Sequence, residues 1–125
     1  MRFEINYPPT KRAKAAWNKR FGLNAYYSGK HWSQRKRDAE ELHMICRAAM
    51  HRAGIRDNLL DYPVEIRFWW DDCLDVDNHA ALGKAFVDAM KGKILHDDNR
   101  QWLKKVSHEY WDGGKILVEV RRWSR

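Results

Sequence analysis

Asp75, Asp77 and Asn78 stand close together and are followed by Lys84, Asp88 and the pair Asp97-Asp98. Hard divalent cations take carboxylate oxygens and keep several waters, so two or three aspartates suffice when substrate phosphate completes the coordination shell. These acids sit in a chain of formal charge +7, with 24 Lys and Arg against 17 Asp and Glu. An acidic pocket in a basic protein predicts metal-dependent chemistry on a polyanion. Lys84 adds a cation of the kind that stabilises charge developing on a phosphate.

The elements carrying these residues follow from their spacing. Asp75 and Asp77 are two apart, so on an extended chain leaving a strand both side chains point the same way and could grip one ion. A helix is predicted over 78–91; continued back to Asp77, its turns bring Asp77, Lys84 and Asp88 within roughly 40° of one stripe. Leu82, Phe86, Ala89 and Met90 take the opposite side. Asp88 is expected to orient Lys84, and Asp97 to support the pocket. Taken singly, the same residues have ordinary roles: Asp77 or Asn78 as a helix cap, Lys84 and Asp88 as a surface pair, Asp97-Asp98 in a turn. Their co-occurrence favours a site.

The 125 residues, 44% of them hydrophobic, suit one compact domain and leave no room for a second. Phe3, Ile5 and Tyr7 alternate with polar residues and predict a first strand stopped by Pro8-Pro9. Residues 10–31 show no clean period and are expected to form an extended loop, the centre of a basic arm over about 8–32. Ser33 is the expected cap of a helix running to Ala53 and ended by Gly54, with Ala39, Leu42, Cys46 and Ala49 on one face. Pro63 opens a strand with Val64, Ile66, Phe68 and Trp70 on one face and Glu65, Arg67 and Trp69 on the other. A strand over 103–110 and another holding Ile116, Val118 and Val120 flank Asp112-Gly113-Gly114, which reads as a hairpin. The predicted order is β-α-β-α-β-β, an α/β (α+β) fold with a small mixed sheet packed by two helices.

The N-terminal third concentrates cations: Lys11, Arg12, Lys14, Lys19, Arg20, Lys30, Arg35, Lys36 and Arg37 all precede residue 38, against Glu4. Tyr7, Trp17, Phe21, Tyr26, Tyr27 and Trp32 are interleaved with them, a mixture suited to phosphate contact and base stacking. The alternative is a solvated basic surface with its aromatics turned into the core. No apolar run reaches transmembrane length and Met1-Arg2-Phe3-Glu4-Ile5 lacks a signal peptide's apolar stretch, which predicts a cytoplasmic protein with no membrane contact. Cys46 and Cys73 lie far apart without a nearby companion, against a zinc cluster or disulfide framework, and Cys46 reads as buried. An EF-hand loop starting at Asp75 fails at His79 and Ala80, and the histidines show no paired zinc-hydrolase motif. No Ser nucleophile elbow is present.

An alternating apolar strand, Asp75-Val76-Asp77-Asn78, a helical Lys84 followed by Asp88-Ala89-Met90, a short Gly-containing link, Asp97-Asp98 and an expected closing hairpin with Gly-Gly together resemble the RusA family of Holliday-junction resolvases. The first strand ending in Pro-Pro and the intervening helix extend the resemblance over nearly the whole chain. It implies a homodimeric, Mg²⁺-dependent endodeoxyribonuclease, with Mn²⁺ as a substitute ion, that nicks four-way DNA junctions symmetrically in recombination and repair. It places the three metal-site aspartates on Asp75, Asp77 and Asp98 and the catalytic lysine on Lys84. Asn78, Asp88 and Asp97 are secondary candidates, and Lys11, Arg12, Lys14, Lys19, Arg20, Lys30 and Arg35 are the expected DNA contacts. Trp69, Trp70 and the aromatic-rich N-terminal segment are candidate contacts between the two copies. Lys84 follows Asp77 by a longer step than in the best-known member, and Leu74 stands where that member has arginine. The competing expectation is a non-catalytic basic nucleic-acid-binding protein, or a degenerate resolvase relative that still binds branched DNA.

Overall fold

Alternation of Val64, Ile66, Phe68 and Trp70 with polar neighbours produces the strand on which the others are assembled. In a computed structural model describing residues 1–22, 25 and 29–125, this strand is β2 (Val64–Trp70). With β1 (Arg2–Ile5), β3 (Leu103–Tyr110) and β4 (Ile116–Arg122) it forms a four-stranded mixed sheet in the order β1-β4-β2-β3. β4 is antiparallel to both β1 and β2, whereas β2 and β3 run parallel. Three described helices complete the α+β domain: α1 (Lys11–Phe21), α2 (Trp32–Arg52) and α3 (Ala80–Met90). No described helix is long and apolar enough to cross a membrane.

The period-two pattern gives the sheet one apolar face. Phe3 pairs with Val118, Val118 with Phe68 and Phe68 with His108, so one transverse row crosses all four strands. Leu42, Cys46, Ala49 and Met50 of α2 and Leu82, Phe86, Ala89 and Met90 of α3 belong to the same buried cluster. The parallel β2–β3 pair needs a crossover, and α3 supplies it. A Cβ added to Gly83 would lie 2.7 Å from His108 Cε1, so glycine permits the close approach of α3 to the sheet. The opposite sheet face carries ion pairs, Arg2 to Glu119 at 2.7 Å and Arg121 to Glu65 at 2.9 Å. Cys46 is fully buried, and burial pushes its thiol up to about 12.

Three expectations require correction. Residues 10–31 are not simply an extended loop or arm, because Lys11–Phe21 is helical, with Thr10 Oγ1 accepting from Ala13 N at 3.1 Å. Trp17, Asn18 and Phe21 form its buried face, too narrow among so many cations to show a clear period. The rest of that stretch, apart from Gly22, Ala25, Gly29, Lys30 and His31, lies outside the described residues. α2 starts one residue before Ser33, capped by His31, whose Nδ1 accepts from Ser33 N at 3.2 Å. Residues 111–115 do not make a hairpin: β3 and β4 are separated by β2, and the link passes the end of β2 with Trp111 N donating to Trp70 O at 3.1 Å. Gly114 takes φ +75° in that link, which accounts for the glycines that suggested a hairpin.

α1 and α2 are tied through Asp38. Arg20 Nε and Nη2 donate to its Oδ1 at 2.9 and 2.6 Å, Gln34 Nε2 to Oδ1 at 2.8 Å, and Lys30 Nζ to Oδ2 at 2.7 Å. Burial alone would push this carboxyl up, but the hydrogen bonds from Lys30, Arg20 and Gln34 outweigh it and hold the group below its ordinary range. A depressed carboxyl contributes stability above its unfolded pKa and loses it as pH falls through the folded one. Asp38→Ala is therefore expected to cost about 1–3 kcal/mol at neutral pH. The difference from wild type should shrink below about pH 4. Urea unfolding at pH 7 and pH 3 measures both, and an undiminished difference at low pH contradicts the assignment.

Candidate functional site

β2 ends on Trp70, which is fully buried, and the chain turns at Asp71-Asp72. The side chains of Asp72 and His79 are both 0% exposed, with His79 Nε2 at 2.8 and 3.0 Å from the two carboxylate oxygens. His79 Nδ1 lies 3.1 Å from Val76 O. Tyr7 Oη donates to Asp72 at 2.8 Å and accepts from Asp71 N at 3.0 Å. Burial, reinforced by the Asp72 charge, pushes the Tyr7 phenol up, so it remains a neutral donor. Burial opposes ionisation of Asp72, but the hydrogen bonds from His79 and Tyr7 prevail and lower its pKa. Trp70 stacks on His79 with ring centroids 4.3 Å apart.

Between these anchors runs the acidic segment. Asp75 is the extended N-cap residue of a short 3-10 helix, Val76–His79, and makes no side-chain capping bond; Asn78 N donates to Asp75 O at 2.9 Å. Asp77 lies in the first turn of that helix, so the two aspartates do not continue a strand, nor does Asp77 share α3 with Lys84 and Asp88. Both are exposed, and among the described residues neither carboxylate forms a hydrogen bond or ion pair. The Tyr110 hydroxyl donates to Leu74 O. Desolvation first, and then the charges of Asp75, Asp72 and Asp77, hold its phenol above the ordinary range. Asn78 is half-buried, and a Cβ on Gly22 would lie 3.4 Å from its Nδ2, which sets the end of α1 against the segment.

A second acidic cluster forms where α3 faces the loop before β3. Lys84 Nζ is 3.0 Å from Asp88 Oδ1 and 3.1 Å from Asp98 Oδ2. Lys91 Nζ reaches Asp98 at 3.4 Å, Asp88 at 3.5 Å and Asp97 at 3.9 Å. The hydrogen bonds to Asp88 and Asp98 raise the Lys84 pKa, and the bond from Lys84 lowers that of Asp98. Asp97 shapes the turn: its Oδ1 accepts from Asp98 N at 2.8 Å and its Oδ2 from Asn99 Nδ2 at 3.2 Å.

Of the anticipated residues, the structure thus joins Lys84, Asp88, Asp97 and Asp98 and leaves Asp75 and Asp77 open on the separate segment before α3. No three His, Cys, Asp or Glu side chains stand close enough to hold one ion among the described residues. The anticipated DNA contacts divide: Lys11, Arg12 and Lys19 are exposed, while Lys14 donates to Asp71 O and lies 4.2 Å over the Tyr7 ring, and Arg20 and Lys30 bind Asp38. Arg35 is half-buried in the cavity beside them, with Phe21, Leu42 and Ala85. Tyr7, Asp72, His79, Lys91 and Tyr110 were not anticipated as partners of the site. Asp72 and His79 are seven residues apart with a turn and a change of helix type between them, so no periodicity announces their contact. Compared with known proteins, the chain matches no family model, and no curated protein is significantly similar to it.

Proposed function

We propose that the protein is a Mg²⁺-dependent, structure-specific endodeoxyribonuclease that resolves four-way DNA junctions during recombination and repair in the cytoplasm, as the RusA-like residue pattern implies. The observation that carries this reading is the 3.1 Å contact between Lys84 and Asp98, two members of the anticipated set that are fourteen residues apart. The donor chemistry is compatible with the ion: Asp75 and Asp77 offer hard, exposed oxygens with no competing partner among the described residues. Asp75 and Asp77 are the residues that would hold it, whereas Asp98, engaged by Lys84 and Lys91, does not close a group of three with them among the described residues. Bound Mg²⁺ would lower the pKa of a coordinated water and neutralise charge on the scissile phosphate. Mn²⁺ would serve in its place.

Lys84, kept cationic by Asp88 and Asp98, would stand near the phosphate and stabilise its developing charge. The exposed Lys11, Arg12 and Lys19 would contact the DNA backbone, whereas Lys14, Arg20 and Lys30 chiefly hold the fold that presents them. Paired nicking of a two-fold junction calls for two copies, so the working form is a homodimer. Trp70, a candidate for the dimer contact beside Trp69, is fully buried and so does not serve as one. A second reading, a non-catalytic binder of branched DNA, draws on the engagement of Asp98 by two lysines.

A synthetic four-way junction incubated with and without Mg²⁺ separates the two readings. Wild type should nick it only with the ion, and Asp75→Asn should abolish nicking while binding at least as tightly, having lost a negative charge facing phosphate. Tight binding without any nicking assigns the binder role. The Lys84 side chain is 64% exposed. Lys84→Ala should therefore keep its unfolding free energy within about 0.5 kcal/mol yet cleave about 10²-fold more slowly. Unchanged cleavage removes Lys84 from the site.

Replacing Lys11, Arg12 and Lys19 together by Ala should flatten the dependence of log affinity on log salt by about 1–3, at roughly 0.9 for each phosphate that is no longer neutralised. A fluorescence-anisotropy titration across salt concentrations measures the slope, and an unchanged value moves the DNA to another face.

A further inference from the structure

We infer that the buried Asp72–His79 contact is a positioning device for the candidate site, holding the short helix that carries Asp75 and Asp77 in the arrangement that projects both carboxylates outward. This rests on the proposed nuclease reading and deepens it. Four contacts brace the segment: His79 Nε2 to each oxygen of Asp72 at 2.8 and 3.0 Å, His79 Nδ1 to Val76 O at 3.1 Å, and Leu74 N to Asp72 Oδ1 at 3.1 Å. Residues 72, 74, 76 and 79 are thereby tied to one another, while the intervening Asp75 and Asp77 are left exposed. Two carboxylates two residues apart in sequence repel, and an unbraced turn can relax by separating them.

The pair is itself anchored on two sides. Trp70 stacks on the imidazole at 4.3 Å, and Tyr7 brings Asp72 a hydrogen bond from the segment after β1. A well-packed apolar pair would fill the same core space without desolvating a charge, so a purely space-filling role gives no reason for Asp and His here. A brace does give one. Hydrogen bonds fix direction where apolar packing does not, and a ligand set must be held within a few tenths of an ångström.

His79→Leu and His79→Gln test this in the full-length chain, with Mn²⁺ as the probe. Gln places an amide donor near the position of Nε2 and can still donate to Asp72; Leu cannot. Mn²⁺ affinity, followed by electron paramagnetic resonance, should fall about 10–100-fold in His79→Leu. It should recover to within about threefold in His79→Gln. Junction cleavage should lose kcat in the same ratio with KM unchanged. If His79→Leu does not fold, Asp72→Asn keeps the volume and removes the carboxylate, with the same loss expected. Folded variants with wild-type Mn²⁺ affinity and kcat overturn the inference and leave the nuclease reading intact. Equal losses in the Leu and Gln variants assign the histidine to packing and also overturn it. A wild-type chain that takes up no Mn²⁺ overturns both the inference and the reading beneath it.

Discussion

The Asp72 carboxylate has no solvent to share its charge, and three chain connections meet where that charge is satisfied. The segment after β1 supplies Tyr7, the segment after β2 supplies Leu74 N and His79, and the adjacent Asp71 accepts from Gly114 N of the β3–β4 link at 2.7 Å. An ionised group moved from water to a protein interior costs several kcal/mol unless its hydrogen-bonding capacity is filled. Tyr7 comes from a separate part of the chain, so the Asp72 carboxylate is fully satisfied only when the segments after β1 and β2 are in register. The constraint selects one arrangement of the loops at this end of the sheet; sheer stability could come from apolar packing alone.

Two groups of acids flank α3 and reduce their repulsion differently. Asp88, Asp97 and Asp98 share Lys84 and Lys91, close to charge balance within one loop and one helix face. Asp75 and Asp77 have no cation among the described residues and face solvent beside Tyr110.

Strands were the most legible part of the sequence, because alternation in Val64–Trp70 and Ile116–Arg122 reports a sheet with one buried face. α3 was equally legible from Leu82, Phe86, Ala89 and Met90. α1 was not, because its buried face needs only Trp17, Asn18 and Phe21, and a polar Asn at a core position breaks the apolar count. The sheet order was misread at Gly113-Gly114 because a turn signal reports a reversal of the chain and does not say which strand lies beside which. At the site, Lys84 and Asp88 follow from helical spacing, whereas the 3-10 geometry of Val76–His79 depends on a histidine bonding back across a turn, a tertiary contact that no local pattern records.

The placement of β4 has a consequence for how the chain comes into being. The last strand in sequence lies in the middle of the sheet, with β1 on one side and β2 on the other. While the chain emerges from a ribosome, the first strand has no neighbour, and the β2–α3–β3 crossover can form alone only as a parallel pair with one side of β2 bare. β4 must be made before Phe3 and Phe68 can close on Val118. Closing the sheet then depends on pairings between segments far apart in sequence, and such long-range closure is slow. The exposed backbone edge of β2 is, during that interval, the surface most in need of protection from association with other nascent chains.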